Sequence, residues 1–239
     1  MISKNKIKKI RVVAILLAGG RGERMGGVFK QFLKISGKPV FFYSLEKLID
    51  NEFINEIIVV VPEQKVNYTK RLIEKKLNNA KVRVIPCEKT RKLSSSRVIF
   101  DFKKRECPPD YVIFHDAARP AISERIVNSV ICEAVRCGGA VVAGKAADLI
   151  FEAGSGYIHR AIPKEMAYCG FTPQCFRFKD LYEAHKKSAD KKIFDSADNI
   201  ELLLRFSKKC RIKLIEYSRP IHKITFSYDI AMIKQFLKK

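Results

Sequence analysis

The stretch ILLAGGRGERMGGVFKQF, residues 15–32, passes from an apolar run through several glycines into a cationic loop. Its apolar part belongs to the run 11–18, which is typical of a buried β-strand. The glycines allow backbone N–H groups to approach a ligand closely, and Arg21, Arg24 and Lys30 add positive charge. A simple turn from a strand to a helix does not need three cations within ten residues. The stretch therefore predicts an anion-binding loop at the carboxyl end of the first strand.

This loop matches neither of the two common phosphate-binding motifs. The dinucleotide pattern G-x-G-x-x-G would need a glycine where Met25 stands. The Walker A pattern also fails, because no Gly-Lys-Ser/Thr follows at the required spacing. The interpretation that remains is a phosphate loop of another type, made of glycines and arginines.

Beyond the loop, apolar runs alternate with segments of helical periodicity. This alternation predicts a mostly parallel sheet covered by helices on both faces, which is a three-layer α/β fold. In such sheets ligands bind at the carboxyl ends of the strands, where the quoted loop lies. The predicted strands are 11–18, 54–62, 81–86, 111–116 and 140–146, and the predicted helices are 41–51, 66–79, 94–105 and 123–138.

One segment interrupts the alternation. In DLIFEAGSGYIHRAI, residues 148–162, two short β-rich runs flank Gly-Ser-Gly, which is the pattern of a β-hairpin. An isolated hairpin is only marginally stable in water, so we expect it to pack against a second subunit. We call residues 147–168 the arm and expect the chain, 1–239, to form one domain that dimerises through it.

Composition narrows the class of protein. The chain of 239 residues carries 47 Lys and Arg against 25 Asp and Glu, a net charge of +22. The lysines are spread over nearly every predicted helix, which favours a solvated surface over a nucleic-acid-binding stripe. Seven cysteines without a CxxC pair predict neither a zinc site nor a complete disulfide framework, and fit a reducing cytoplasm. The apolar run 12–18 is too short to cross a membrane.

Several motifs together resemble one family of nucleotidyltransferases. LAGGRGERM (17–25), HDAARP (115–120), TPQCF (172–176) and HKITFSYDI (222–230) are similar to segments of the 2-C-methyl-D-erythritol 4-phosphate cytidylyltransferases. The resemblance runs from about residue 11 to the end of the chain. It implies a Rossmann-like nucleotidyltransferase fold with a mixed sheet, and a homodimeric cytoplasmic enzyme of isoprenoid synthesis. The implied reaction uses CTP, a sugar-alcohol phosphate and Mg²⁺ and releases pyrophosphate.

The chemistry of that reaction explains why cations dominate the motifs. The attacking phosphate monoester is already an anion, so the site must align two polyanions and stabilise transition-state charge rather than generate a nucleophile. The resemblance assigns catalysis to Arg24, Lys30, Lys164 and Lys223, with the first two on the triphosphate and the others on the incoming phosphate. It assigns CTP binding to Ala18, Gly19, Gly20, Gly22 and Ser94, alcohol binding to Arg119 and Thr172, and Mg²⁺ to Asp116.

The chain departs from the family pattern at several positions. Phe29 stands where a proline usually precedes the loop lysine, Cys87-Glu88-Lys89 replaces a Gly-Gly-Asp segment, and Lys164 replaces an arginine. Leu149 and Ile221 replace polar residues, and if both face the alcohol they favour the methyl-bearing substrate. Two alternatives stay open: a ribitol-5-phosphate cytidylyltransferase, whose family shares most of these motifs, and a basic nucleotide- or RNA-binding protein without catalysis.

Overall fold

The computed structural model describes residues 4–193, 198–207, 210–217 and 221–237. Its main feature is a seven-stranded sheet, accompanied by two separate two-stranded sheets. The strands are β1 (Val12–Leu17), β2 (Lys34–Ile35), β3 (Lys38–Pro39), β4 (Ile54–Val61), β5 (Val82–Pro86), β6 (Tyr111–Asp116), β7 (Gly138–Lys145), β8 (Ile150–Gly154), β9 (Tyr157–Ile162), β10 (Tyr168–Arg177) and β11 (Arg211–Glu216). The large sheet has the order β11-β7-β10-β6-β1-β4-β5, and β10 alone among its strands runs antiparallel to its neighbours.

Helices cover this sheet on both faces. They are α1 (Lys4–Lys8), α2 (Val40–Ile49), α3 (Val66–Lys76), α4 (Arg91–Lys103), α5 (Glu124–Cys137), α6 (Phe178–Asp190), α7 (Asn199–Phe206) and α8 (Asp229–Phe236). One apolar cluster joins the sheet to α2, α3 and α5, and a second joins it to α4, α6 and α7. The predicted three-layer α/β fold with a mostly parallel mixed sheet is therefore confirmed.

The central strand shows how the sequence produces these two layers. Val12, Ala14 and Leu16 belong to the first cluster, whereas Val13 and Ile15 belong to the second. Because successive side chains of a strand point to opposite faces, an unbroken apolar run fills both layers at once. The run thus places the glycine loop at the carboxyl end of a strand that is buried on both sides.

Most predicted elements appear within a few residues of their expected bounds. Ser123 caps α5 by accepting the N–H of Ile126, and Gly138 follows that helix with a φ of 102°. The helix expected at 94–105 begins earlier, at Arg91, because the Thr90 hydroxyl accepts the N–H of Leu93 and caps it there. This earlier start brings the first turn of α4 to the edge of the sheet where the loop lies.

The predicted hairpin is present as β8 and β9, which pair with each other and not with the large sheet. Its apolar side chains lie in solvent: Leu149 is 66% exposed, Tyr157 76% and Ile158 63%. β10 begins directly after the arm and returns the chain to the large sheet, which explains its antiparallel direction. Within the described ranges, no helix combines the length and apolarity needed to cross a membrane.

A third, smaller apolar cluster packs against the glycine loop. It joins Met25 of the loop to Val40 of α2, to Ile224 just before α8 and to Ile233 within α8. Arg24 and Lys223 are the chain neighbours of Met25 and Ile224. The C-terminal helix therefore fixes two cationic segments relative to each other.

Candidate active site

A cavity of about 360 Å³ opens at the carboxyl ends of β1, β4 and β6. Its wall is formed by the glycine loop, the segment 87–91 after β5, the first turns of α4, and single residues after β6 and before α8. Of the residues predicted from the sequence, nine line it: Ala18, Gly19, Gly20, Gly22, Arg24, Lys30, Ser94, Asp116 and Lys223. The structure thus brings together side chains that are separated by up to 205 positions along the chain.

Two glycines of the loop are required by its geometry. Gly22 has a φ of 67°, and a Cβ there would lie 1.9 Å from the carbonyl oxygen of Val28. A Cβ at Gly19 would lie 2.6 Å from the Cβ of Cys87. Neither position can hold a larger residue without moving the backbone.

Gln31 holds this loop through two hydrogen bonds. It was not among the residues predicted from the sequence. It is 2% exposed, and its Nε2 donates to the carbonyl oxygens of Ala18 at 2.5 Å and Gly20 at 3.0 Å. Both carbonyls therefore point toward the amide of Gln31, which itself lines the cavity. The sequence signal was a polar residue between Lys30 and the apolar Phe32, which is too common to single out a site residue.

Lys30 is the most buried cation of the cavity wall, with 8% of its surface exposed. Burial lowers the pKa of its ammonium group, and the nearby charges of Lys223 and Arg24 lower it further. All three effects disfavour an isolated positive charge at this position, so a bound polyanion would relieve them. This is the electrostatic arrangement expected of a phosphate site.

Asp116 lies at the end of β6 among three cations. Its Oδ2 is 2.8 Å from Lys223 Nζ and 3.7 Å from Arg119 Nε, and its Oδ1 is 3.5 Å from Arg91 Nε. Burial alone would raise the pKa of this carboxyl, but the charges of Lys223, Arg91 and Arg119 outweigh burial and hold the pKa well below its ordinary value. Asp116 is therefore ionised, and the group of four carries two positive charges in excess.

Arg91 is absent from the residues predicted from the sequence, although it lines the cavity. Besides Asp116, its Nη1 contacts Asp198 Oδ2 at 3.3 Å. The available signal was a cation at the start of the helix that follows β5, at the same edge of the sheet as the glycine loop.

Thr172 and Arg119 were predicted to face the alcohol, but neither lines the cavity wall. Thr172 is 3% exposed, and its hydroxyl accepts the backbone N–H of Asp116 at 3.0 Å. Arg119 Nη1 donates to the carbonyl oxygen of Ile221. His115 Nε2 donates to the Arg119 carbonyl at 3.0 Å, and burial lowers the pKa of this imidazole to about 4. These three side chains hold the backbone around Asp116 and Lys223.

Ser94 was predicted to contact the cytosine, and its hydroxyl already has two backbone partners. Its Oγ accepts the N–H of Glu88 at 2.9 Å and donates to the carbonyl of Thr90 at 2.9 Å. Ser94 thus folds the segment 87–90, which stands where the family pattern has Gly-Gly-Asp. The carboxylate of Glu88 pairs with Arg97 Nη1 at 2.8 Å.

Lys164 lies outside the cavity of its own chain. It is exposed in a short 3-10 helix, Lys164–Met166, at the base of the arm. Leu149 and Ile221, which would favour the methyl-bearing substrate if both faced the alcohol, do not line the cavity of their own chain. Leu149 is exposed in the arm, just before β8, and Ile221 is 1% exposed and packed in the first apolar cluster.

Comparison with known proteins adds the family. Residues 12–239 match the sequence model of the 2-C-methyl-D-erythritol 4-phosphate cytidylyltransferase family. A relative of that name from Thermotoga neapolitana is 31% identical over 228 residues, which cover 95% of this chain and 97% of the relative. Another from Clostridium beijerinckii is 31% identical over 230 residues, which cover 95% and 98%.

Solved structures share the fold. The 4-diphosphocytidyl-2C-methyl-D-erythritol synthase of Anaerococcus prevotii superposes with a TM-score of 0.84 at 23% identity, covering 99% of this chain and 100% of that one. The 2-C-methyl-D-erythritol 4-phosphate cytidylyltransferase of Francisella tularensis gives 0.76 at 22% identity, covering 95% and 99%.

Proposed function

The chain belongs to the 2-C-methyl-D-erythritol 4-phosphate cytidylyltransferase family, and from this premise we propose that the cavity around Lys30 and Asp116 is where it transfers the cytidylyl group. The enzyme takes this group from CTP to 2-C-methyl-D-erythritol 4-phosphate and yields CDP-methylerythritol and pyrophosphate in the isoprenoid pathway. The observation that carries the proposal is the convergence of Lys30, Lys223 and Arg91 beside a glycine loop at the carboxyl ends of the strands.

The transfer makes one bond and breaks one. An oxygen of the incoming phosphate attacks the α-phosphorus of CTP, and the bond from that phosphorus to the bridging oxygen of the β-phosphate breaks. The nucleophile is an anion at neutral pH, so no side chain has to remove a proton from it. This agrees with the position of His115, the only histidine beside Asp116 in the described part of the chain, which is buried and neutral. Catalysis then rests on alignment and charge stabilisation.

We assign the cations by their place in the cavity. Arg24 and Lys30, next to the glycine loop, bind the triphosphate and stabilise the charge that develops at the α-phosphorus. Lys223, which is paired with Asp116, orients the incoming phosphate. The backbone N–H groups of the loop 18–22 add dipoles directed at the phosphates. Thr172 and Arg119 contribute by fixing Asp116 and the backbone at Ile221.

Mg²⁺ fits this site only in company with the nucleotide. In the described ranges no group of three or more His, Cys, Asp or Glu side chains could hold a metal ion. Mg²⁺ commonly takes one or two carboxylates and completes its shell with substrate phosphates and waters. Asp116 can supply one such oxygen, provided that Lys223 or Arg91 turns from it to a phosphate. When bound, the ion would neutralise charge on the triphosphate.

The arm is the second part of the proposal. Its exposed apolar residues form a surface that a second copy of the chain can cover, and Lys164 at its base lacks a site in its own chain. We infer a homodimer in which Lys164 of one subunit reaches the incoming phosphate in the cavity of the other. All seven cysteines are free thiols, which is consistent with a cytoplasmic protein.

The decisive experiment presents both candidate alcohols to the purified protein. We expect release of pyrophosphate from CTP with 2-C-methyl-D-erythritol 4-phosphate. Because the chain belongs to the family named for that substrate, we also expect a kcat/KM at least about tenfold higher than with D-ribitol 5-phosphate. Competition of the two alcohols for limiting enzyme, with the CDP products separated by chromatography, measures this ratio directly. Preferential formation of CDP-ribitol would overturn the choice of substrate. Nucleotide binding without pyrophosphate release from either alcohol would favour the non-catalytic alternative.

A further inference from the structure

Outside the cavity, one lysine is surrounded by aromatic rings. Lys65 Nζ lies 5.9 Å from the ring centroid of Phe29, 5.7 Å from that of Phe32 and 5.6 Å from that of Tyr68. Each distance is within the range of a cation–π interaction. The rings also contact one another, with centroids 6.4 Å apart for Phe29 and Phe32 and 6.2 Å apart for Phe32 and Tyr68. We call these four residues the Lys65 cluster.

The Lys65 cluster holds both ends of the short helix that carries Lys30. This 3-10 helix, Lys30–Phe32, starts after Phe29, and the N–H of Phe32 donates to the Phe29 carbonyl at 2.8 Å. Phe32 is anchored further by Phe41 of the core, at 5.2 Å between ring centroids. Lys30 thus lies between two rings that Lys65 contacts together.

Lys30 needs such support because burial and nearby positive charges disfavour its own charge at this position. Lys30 is 8% exposed, and Lys223 and Arg24 repel its ammonium group. Both effects favour movement of the Lys30 side chain toward solvent. Gln31 ties the short helix to the glycine loop through two hydrogen bonds, and the Lys65 cluster contacts Phe29 and Phe32 at its two ends.

The backbone at Phe29 allows this idea to be tested. Its φ of −70° is close to the value that a proline ring would impose. The phenyl ring contacts Lys65 and Phe32. Replacing Phe29 by proline would therefore restrict φ to a value that it already has while removing those contacts.

We propose that Lys65 is a positioning residue for the transfer, which acts through Phe29 and Phe32 to keep Lys30 directed into the cavity. This inference rests on the proposed role of Lys30 in cytidylyl transfer. Lys65 does not line the cavity, so it binds no substrate itself.

The first test distinguishes the contacts of Lys65 with the aromatic rings from the long-range effect of its positive charge. We expect Lys65→Met to lower kcat about fivefold while the KM for CTP changes less than about twofold. Lys65→Arg, which keeps a cation over the rings, should stay near wild type. Lys75→Met is the matched control: it removes the same charge from an exposed site on α3 and should leave both constants unchanged. Equal effects of the Lys65 and Lys75 variants would show long-range charge alone and overturn the proposal.

The second test examines the backbone. Phe29→Ala removes the ring and should lower kcat about tenfold, whereas Phe29→Pro restores the restriction on φ and should recover most of that loss. A proline variant as poor as the alanine variant would mean that the ring acts in some other way than by holding this backbone.

A third measurement does not depend on activity. The rate at which an amine-reactive reagent modifies Lys30, followed by peptide mass spectrometry, reports how far its ammonium group is exposed. We expect this rate to rise several-fold in Lys65→Met and Phe29→Ala, and to stay constant in Lys75→Met. An unchanged rate in all variants would overturn the inference. If the wild type makes no CDP-methylerythritol, the proposed function fails, yet this measurement still decides whether Lys65 positions Lys30.

Discussion

The cavity and the arm differ in what they bury: the cavity holds a buried charged group, whereas the arm exposes apolar side chains. In the cavity, the buried carboxylate of Asp116 has its partners within the same chain, namely Lys223, Arg91 and Arg119. In the arm, apolar side chains such as Tyr157 and Ile158 lie in water, where contiguous apolar surface is unfavourable. The ion pairs around Asp116 are formed within one chain, whereas the arm leaves apolar surface that a partner could cover.

A single strand connects these two regions. β10 follows β7 through the arm and pairs with it from Tyr168 to Phe176, and its last four residues also pair with β6. Thr172 comes just before those four residues and contacts the backbone of Asp116. The difference between the regions teaches that one chain supplies nearly all of the proposed site, whereas the proposed role of Lys164 would need a second chain.

The largest effect is expected inside the cavity. Lys30→Ala should lower kcat by about 10²-fold or more, because Lys30 acts on charge that develops in the transition state, and the dissociation constant for CTP should change less. Single-turnover rates at saturating CTP measure this loss. Lys34→Ala, which removes an exposed lysine from the next strand, serves as the control and should be active. A normal kcat for Lys30→Ala would exclude this residue from the mechanism.

Lowering the pH should reduce the free energy of unfolding, because two buried histidines have lowered pKa values. Burial lowers the pKa of His185, as it does for His115, to about 4, and Ser96 and Asn199 are its hydrogen-bond partners. Between pH 6.5 and pH 4 the unfolded chain binds protons that the folded chain does not, so the free energy of unfolding falls as the pH drops.

For each histidine this loss amounts to about 2 kcal/mol between pH 7 and pH 5. Urea titrations at the two pH values should show a smaller pH dependence in His185→Gln than in the wild type, by about that amount. The same pH dependence in both proteins would contradict a depressed pKa for His185.

The arm can be tested by removal and by mixing. Deleting residues 150–158 should give a monomer in sedimentation, with activity lowered about tenfold because Lys164 is no longer delivered to the other subunit. Mixing the impaired Lys30→Ala and Lys164→Ala chains should raise activity, to about a quarter of wild type for random dimers with one intact site in each mixed pair. A wild-type protein that is monomeric at micromolar concentration would defeat the dimer proposal.

The smallest effect concerns the link between the regions. Thr172→Val removes the acceptor of the Asp116 N–H and should lower kcat about threefold through a small displacement of the carboxylate. Thr172→Ser keeps the hydroxyl and should retain the wild-type rate. Loss of activity in the serine variant as well would point to the methyl group rather than to this hydrogen bond.

The sequence predicted five of the seven strands of the large sheet and nine residues of the cavity wall. Strand β1 and its glycine loop are adjacent in the chain, and parallel strands bring the loops that follow them to one edge. Arg91 and Gln31 could not be predicted in this way. Their roles depend on the tertiary contacts with Asp116 and with the loop carbonyls, which no periodicity reports.

The direction in which side chains point could not be predicted from the sequence either. Thr172 belongs to a motif that the sequence displays clearly, but its hydroxyl faces Asp116 because β10 returns antiparallel beside β6. That direction follows from the arm, whose short strands do not indicate how the chain re-enters the sheet. Whether Leu149 and Ile221 face the alcohol could not be predicted from the sequence either, and neither lines the cavity of this chain.

The cationic wall of the cavity has a consequence for the balance of the reaction. The transfer replaces one phosphoanhydride bond with another, so substrates and products differ little in free energy. In the roles proposed for them, Lys30 and Arg24 would attract the released pyrophosphate by the same charges that hold the triphosphate, and would stabilise the same transition state when it is approached from the product side. The enzyme must therefore also run backward, making CTP from CDP-methylerythritol and pyrophosphate. Net synthesis is then governed outside the protein, by how quickly hydrolysis removes pyrophosphate from the surrounding solution.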